Sequence, residues 1–195
     1  MRVAVGCSYT AGSGINVNQT YPILMGYDNW AVPGSDIEFS LWQAHRAVEQ
    51  GAVSILFQLT SWDRITLSNE NRRNFSANRS YTGTPIFEHY TIADYTKTTD
   101  PHIKWMFEHQ VMANWRTDNL VQRLIEFKSW ANAQGATVEF LDWLPRNKIA
   151  LHPGLEQLLD KPSVLDWLGH NYYIDAYYHV NPEGHSRIAG EYFER

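Results

Sequence analysis

Cysteine is nearly missing from this chain: Cys7 is the only one among 195 residues. One thiol excludes an intramolecular disulfide and a multi-cysteine zinc site, and it fits a reducing compartment. Cationic residues are also scarce, with 16 Lys and Arg against 21 Asp and Glu and a net charge of −5. Nucleic-acid binders carry a clustered basic footprint, and anionic membrane surfaces select for one too. Neither partner is expected. No Lys precedes Lys97, so the N-terminal half holds no Gly-Lys-Ser/Thr phosphate loop. Gly12-x-Gly14 is followed by Val17 where a dinucleotide-binding turn needs its third glycine. The eight His form no His-Glu-x-x-His pair, and His179 and His185 are badly spaced for a metal. No metal and no cofactor are expected. No apolar run reaches the roughly 18 residues of a membrane span. The stretch Met1-Arg2-Val3-Ala4-Val5-Gly6 is too short for a signal peptide. Synthesis in the cytoplasm without a signal is the expectation.

What is present is apolar and aromatic. Hydrophobic residues make up 44% of the chain, enough to argue against disorder, and there are eight Trp and eleven Tyr. Such rings fill a core, or they line a pocket or a sugar-binding face. The length suits one domain over residues 1–195 with a sizeable core.

The pattern along the chain alternates strands with helices. Arg2 to Val5 reads as a short buried strand that stops at Gly6, followed by a turn-prone stretch, Cys7-Ser8-Tyr9-Thr10-Ala11-Gly12-Ser13-Gly14. Thr20 to Gly26 predicts a short helix with Pro22 in its first turn, and Asn29 to Val32 a second strand. Ser35 or Asp36 caps a helix to about Gln50, which Gly51 ends. Val53 to Leu59 is a largely apolar run, as in a buried parallel strand. Residues 62–101 lack sustained periodicity and read as an insertion: a lid or binding loop, a scaffold element or an oligomer contact. Helical spacing then runs from His102 to about Gln134, a strand from Thr137 to Leu141, and two short helices lie between Leu155 and Leu168. Asn181 caps a last helix with Pro182 at its first position, running to about Phe193. This order predicts a three-layer α/β/α sandwich with a flavodoxin-like parallel sheet. Ligands of such sheets sit beyond the carboxyl ends of the strands, where Ser8 and residues 60–64 belong.

Two stretches carry chemistry. Ser8 stands in a turn after the first strand, where backbone N–H groups can face a developing oxyanion. Cys7 beside it is a competing nucleophile. His179 precedes a capped helix, from which an imidazole can act as general base on a serine at another strand end. His185 lies inside that helix and reads as structural.

Together these ends resemble the SGNH (GDSL-like) hydrolase superfamily. Gly6-Cys7-Ser8 is similar to its Gly-Asp-Ser block, with Cys in place of Asp. Tyr21-Pro22-x-Leu24 followed by Asn29-x-Ala31-x-Pro33-Gly34 resembles the segment leading to its second block. His179-x-Asn181-x-x-Gly184-His185-x-x-Ile188-Ala189 resembles its last block. The Gly-Cys-Ser opening is similar to that of phage-encoded members. The resemblance implies Ser8 as nucleophile, His179 as base, and the N–H groups of Ser8 and Gly34 as oxyanion donors. The chain departs from the pattern twice. The third block's oxyanion Asn is missing from Gln58-Leu59-Thr60-Ser61-Trp62-Asp63-Arg64, leaving Thr60, Ser61 or Arg64 as substitutes. The family's acid stands three residues before the His, which here is Ala176; Asp175 is one residue further back and is the expected orienting acid.

The expected activity is hydrolysis of a carboxylic ester. Rings at Trp62, Tyr81, Phe87, Tyr90 and Tyr95, among amides, hydroxyls and Arg64, suit an O-acetylated glycan first and a short-chain lipid ester second. The alternative from another class is a non-catalytic carbohydrate-binding or structural protein on a degenerate SGNH scaffold, such as a phage virion component. The sequence leaves the oligomeric state open.

Overall fold

The structure is a computed structural model that describes residues 1–61, 64–68, 87–90, 99, 101–106, 108–109, 114–144, 152–156, 158–159, 161–175 and 179–194. Four parallel strands form its sheet: β1 (Arg2–Val5), β2 (Asp28–Asn29), β3 (Ser54–Leu59) and, after a two-stranded antiparallel hairpin of β4 (Ile65–Ser68) and β5 (Phe87–Tyr90), β6 (Thr137–Asp142). The order across the sheet is β2-β1-β3-β6. The register sets Val5 beside Phe57 and Leu59 beside Asp142, so the strands finish along one edge. Because successive strand residues face opposite ways, Val3, Val5, Ile55, Phe57, Leu59, Val138 and Phe140 face one helical layer, while Ala4, Leu56 and Leu141 face the other. Both faces are covered, which is why β3 carries buried apolar side chains on both of its sides.

The first layer holds the long helices α3 (Ile37–Glu49) and α5 (Asn114–Ala133). Asp36, not Ser35, caps α3: its carboxylate accepts from the Phe39 N–H at 2.7 Å. Helical spacing expected over residues 102–134 is realised as α4 (Pro101–Met106) and α5. Glu38 of α3 ties the two long helices, accepting from Arg116 at 3.4 Å and Arg123 at 2.5 Å. The second layer is built of short helices: α1 (Ser8–Ala11), α2 (Tyr21–Leu24), α7 (Val164–Leu168) and α8 (Pro182–Arg187), which continues as a wider π-helical turn over Ile188–Tyr192. Between β6 and α7, the one-turn α6 (Pro153–Glu156) sends Leu155 into the first layer's core. No helix among the described residues is long and apolar enough to cross a membrane.

Two expectations are corrected. The stretch after β1 is not an open turn but one turn of helix starting at Ser8 and stopped by Gly12 at φ +75°. The expected strand from Asn29 to Val32 is only Asp28–Asn29. Trp30 and Val32 still donate to the Ala4 and Gly6 carbonyls, at 2.9 and 3.0 Å, so the edge stays hydrogen-bonded on its inner side.

The junction of β1 and α1 has no room for a side chain. A Cβ on Gly6 would lie 2.6 Å from Gln58 Oε1 and 2.9 Å from Thr10 Oγ1, at φ +152°. Gly51, at φ +88°, has nothing within 4 Å of such an atom. Gly6→Ala is therefore expected to cost about 2–4 kcal/mol through overpacking plus backbone strain. Gly51→Ala is expected to cost only about 1–2 kcal/mol, from the backbone alone. Urea unfolding of the two variants checks the contrast.

Candidate active site

The carboxyl edge of the sheet gathers three segments. The first is the start of α1. Cys7 is its N-cap and Ser8 its first residue, nearly buried at 9% exposure. The second is the turn at residues 32–35, where Gly34 takes φ +84°. The Gly6 carbonyl accepts from the Val32 N–H at 3.0 Å and the Ser35 hydroxyl at 2.9 Å, which fastens this turn beside the Ser8 turn. The third follows β3. Thr60 is fully buried, and its hydroxyl donates to the Ser35 carbonyl at 3.2 Å or the Ser61 carbonyl at 3.3 Å. That hydroxyl has one proton to give, and it spends it on the backbone. Ser61 and Arg64 follow half-buried, and the Arg64 carbonyl accepts from Arg116 at 2.9 Å.

His179 arrives from the other end of the chain. Tyr173 and Val180 form an isolated antiparallel bridge, and the Ile174 N–H donates to the His179 carbonyl at 2.8 Å. These contacts hold Asp175 against His179. The imidazole Nδ1 lies 2.6 Å from Asp175 Oδ2, and the His179 N–H donates to Oδ1 at 3.2 Å. Against a carboxylate, Nδ1 carries the hydrogen, which makes Nε2 the acceptor nitrogen of the ring. Asp175, one residue before Ala176, therefore lies against the imidazole; Ala176 lies outside the described residues.

Tyr9, next to Ser8, links the two segments. Its ring is 5.4 Å from the His179 ring, tilted by 51°, and stacks on Trp143 at 5.0 Å and 7°. Ile174 adds a second link, since a Cβ on Gly14 would sit 2.7 Å from Ile174 Cδ1. Trp143, just past β6 and fully buried, had no sequence signal beyond its place after an apolar run. Gln58 was equally unannounced. Its side chain lies under the Ser8 turn, where Oε1 accepts from the Cys7 N–H at 2.9 Å, the Cys7 thiol at 3.3 Å and Thr10 Oγ1 at 3.1 Å. Cys7 is therefore a buried donor turned inward, not a thiol facing the edge.

Of the residues expected in a substrate wall, Trp62, Tyr81 and Tyr95 lie outside the described residues. Tyr90 ends β5 opposite Ile65. Among the described residues, no group of three His, Cys, Asp or Glu side chains is placed to hold a metal ion.

His185 serves structure. Its Nδ1 accepts from the Tyr21 N–H at 3.1 Å, its ring stacks on Tyr21 at 5.7 Å, and burial lowers its pKa from 6.5 to about 4. The neutral ring is the folded form.

Solved structures share this architecture. The crystal structure of TesA aligns over 96% of this chain and 92% of that one, with a TM-score of 0.54 and 17% sequence identity. At that identity the likeness is one of fold, a parallel four-stranded sheet flanked by helices in the SGNH arrangement. No family model matches the chain, and no curated protein matches it by sequence.

The buried imidazole makes stability depend on pH. Between about pH 4 and 6.5 the unfolded chain binds a proton at His185 that the folded chain refuses. This stabilisation is complete above pH 6.5 and is lost as the pH falls to about 4. It amounts to on the order of 3 kcal/mol. Urea unfolding at pH 7 and pH 4.5 should show that loss, and His185→Gln should reduce it.

Proposed function

We propose that this chain is a serine esterase of the SGNH type. The observation that carries the reading is the 2.6 Å contact between His179 Nδ1 and Asp175, with the residue after Ser8 lying against the same imidazole. In this reading Ser8 Oγ attacks the ester carbonyl while His179 Nε2 takes its proton. The tetrahedral oxyanion is held by the N–H groups of Ser8 and Gly34. Collapse breaks the bond to the alcohol, which leaves with the proton from His179, and an acyl group stays on Ser8. His179 then takes a proton from water, which attacks the acyl carbonyl, and returns that proton to Ser8 as the acid departs. Asp175 stays ionised, fixes the tautomer and stabilises the imidazolium.

Thr60 gives its proton to backbone carbonyls, so the reading leaves the oxyanion to the two N–H groups, with Ser61 as the remaining hydroxyl. Loss of one side-chain donor costs on the order of 3 kcal/mol in such sites. The substrate we favour is an O-acetylated carbohydrate. Residues 62–101 support it, because they mix Tyr81, Phe87, Tyr90 and Tyr95 with amides and hydroxyls in the segment that follows β3. A second reading, a non-catalytic glycan-binding or virion component on the same scaffold, draws on the Thr60 bonds, which leave the oxyanion without a third-block donor.

Labelling with a fluorophosphonate followed by peptide mapping separates the two. The esterase reading expects modification of Ser8 that Ser8→Ala abolishes; an unlabelled protein is the binding scaffold. Acetate release from acetylated xylan should exceed hydrolysis of medium-chain p-nitrophenyl esters, and the reverse preference drops the carbohydrate. Asp175→Asn should lower kcat toward p-nitrophenyl acetate by roughly 10²-fold or more, with the circular dichroism spectrum unchanged. Near-wild-type turnover would leave a Ser8–His179 dyad.

A further inference from the structure

We propose that Gln58 is the positioning residue of Ser8, a role that rests on the reading of Ser8 as nucleophile. Gln58 is fully buried near the end of β3, with its side chain on the second face of the sheet. An amide there is costly unless its hydrogen-bonding groups are used, and a leucine would fill similar space in a sheet that already carries Leu56 and Leu59. The amide is heavily used. Its nitrogen donates to the Leu59 carbonyl at 2.7 Å. Its oxygen takes the Cys7 N–H, the Cys7 thiol and the Thr10 hydroxyl. Three donors converging on one atom, with a carbonyl facing the other, settle which end of the amide is which.

These bonds grip the residue before Ser8 and the residue two after it. The direction of Oγ is therefore set by its flanks. Thr10 is fixed further by Tyr21 OH at 2.7 Å and by Asn29, whose side-chain amide donates to the Thr10 carbonyl at 2.7 Å. On the far side, Tyr9 of the same turn touches His179. A turn pinned to β3 by Gln58 and to the base by Tyr9 holds nucleophile and base in one frame. A displacement of about 1 Å in such a frame costs roughly 10²-fold in rate. Gln58 touches neither the ester nor the imidazole; it acts through the turn.

The experiment uses full-length Gln58→Leu, Gln58→Glu and Thr10→Val with p-nitrophenyl acetate. Gln58→Leu is expected to lower kcat by roughly 10²-fold with little change in KM, and to speed amide exchange at Cys7 and reaction of the Cys7 thiol with a disulfide reagent. Gln58→Glu is expected to recover most of kcat, because a buried, protonated carboxyl can accept from the turn and donate to the Leu59 carbonyl. Thr10→Val removes one donor and serves if Gln58→Leu does not fold; a several-fold loss of kcat is expected. A folded Gln58→Leu with wild-type kcat overturns the proposal, as does a Gln58→Glu no better than Gln58→Leu, or a Thr10→Val with wild-type kcat. If the wild-type protein neither turns over the ester nor takes the fluorophosphonate, the esterase reading falls and this role falls with it. Wild-type turnover with insensitive variants overturns this role alone.

Discussion

Gly6 and Gln58 sit within van der Waals reach of each other, and much of the molecule follows from that approach. Pairing of Val5 with Phe57 brings the end of β1 level with Gln58. Space at Gly6 is already filled by the Gln58 amide and the Thr10 hydroxyl, so only a glycine fits. Its absent side chain lets the chain turn directly from strand into α1, and the amide then accepts the first donors of that helix. The Gly6 carbonyl meanwhile anchors the Gly34 turn through Val32 and Ser35. One close contact thus ties β1, β3, the Ser8 turn and the Gly34 turn into a single polar junction. Buried networks of this kind specify one arrangement, because each member left unpaired would cost about 1–3 kcal/mol.

The second layer solves a different problem, joining the two ends of the chain. Tyr9, Trp143, Tyr21 and His185 form a continuous run of stacked rings. Tyr21 donates to the His185 ring, and Gly184 leaves no space for a Cβ between Val180 and Tyr172. Aromatic pairs contribute about 0.5–1.5 kcal/mol beyond the area they bury, and here they also hold the loop that carries Asp175 and His179. Burial raises the Tyr21 phenol far above its ordinary pKa, so it stays a neutral hydroxyl beside Thr10. The composition announced many rings; the layer shows that several of them are core.

Two expectations about the carboxyl edge meet structural answers. Asp175 lies against His179, beside the hydrogen bond from the Ile174 N–H to the His179 carbonyl. Thr60, at the end of β3, is turned to the Ser35 carbonyl, so it fastens the Gly34 turn where an oxyanion donor was expected.

The sequence by itself determined the layers. Short, largely apolar strands at β1, β3 and β6, with helical segments between them, point to a parallel sheet covered on both faces. It also determined the cap at Asn181, whose bond is local. Ser8 and His179 were legible as candidates because turn and cap chemistry marks their neighbourhoods, whereas Asp175 was expected only from the family resemblance. What lay beyond the sequence were the contacts between residues far apart in the chain. Gln58 beneath Cys7 is 51 residues away, and the His185 ring accepts from an amide 164 residues away. Whether Ser35 or Asp36 capped α3, and whether Thr60 faced the edge or the backbone, depended on which carbonyl stood within hydrogen-bond distance. Periodicity reports only which face of an element is apolar; the partner of each buried polar atom is chosen when the faces close, and only the tertiary structure decides it.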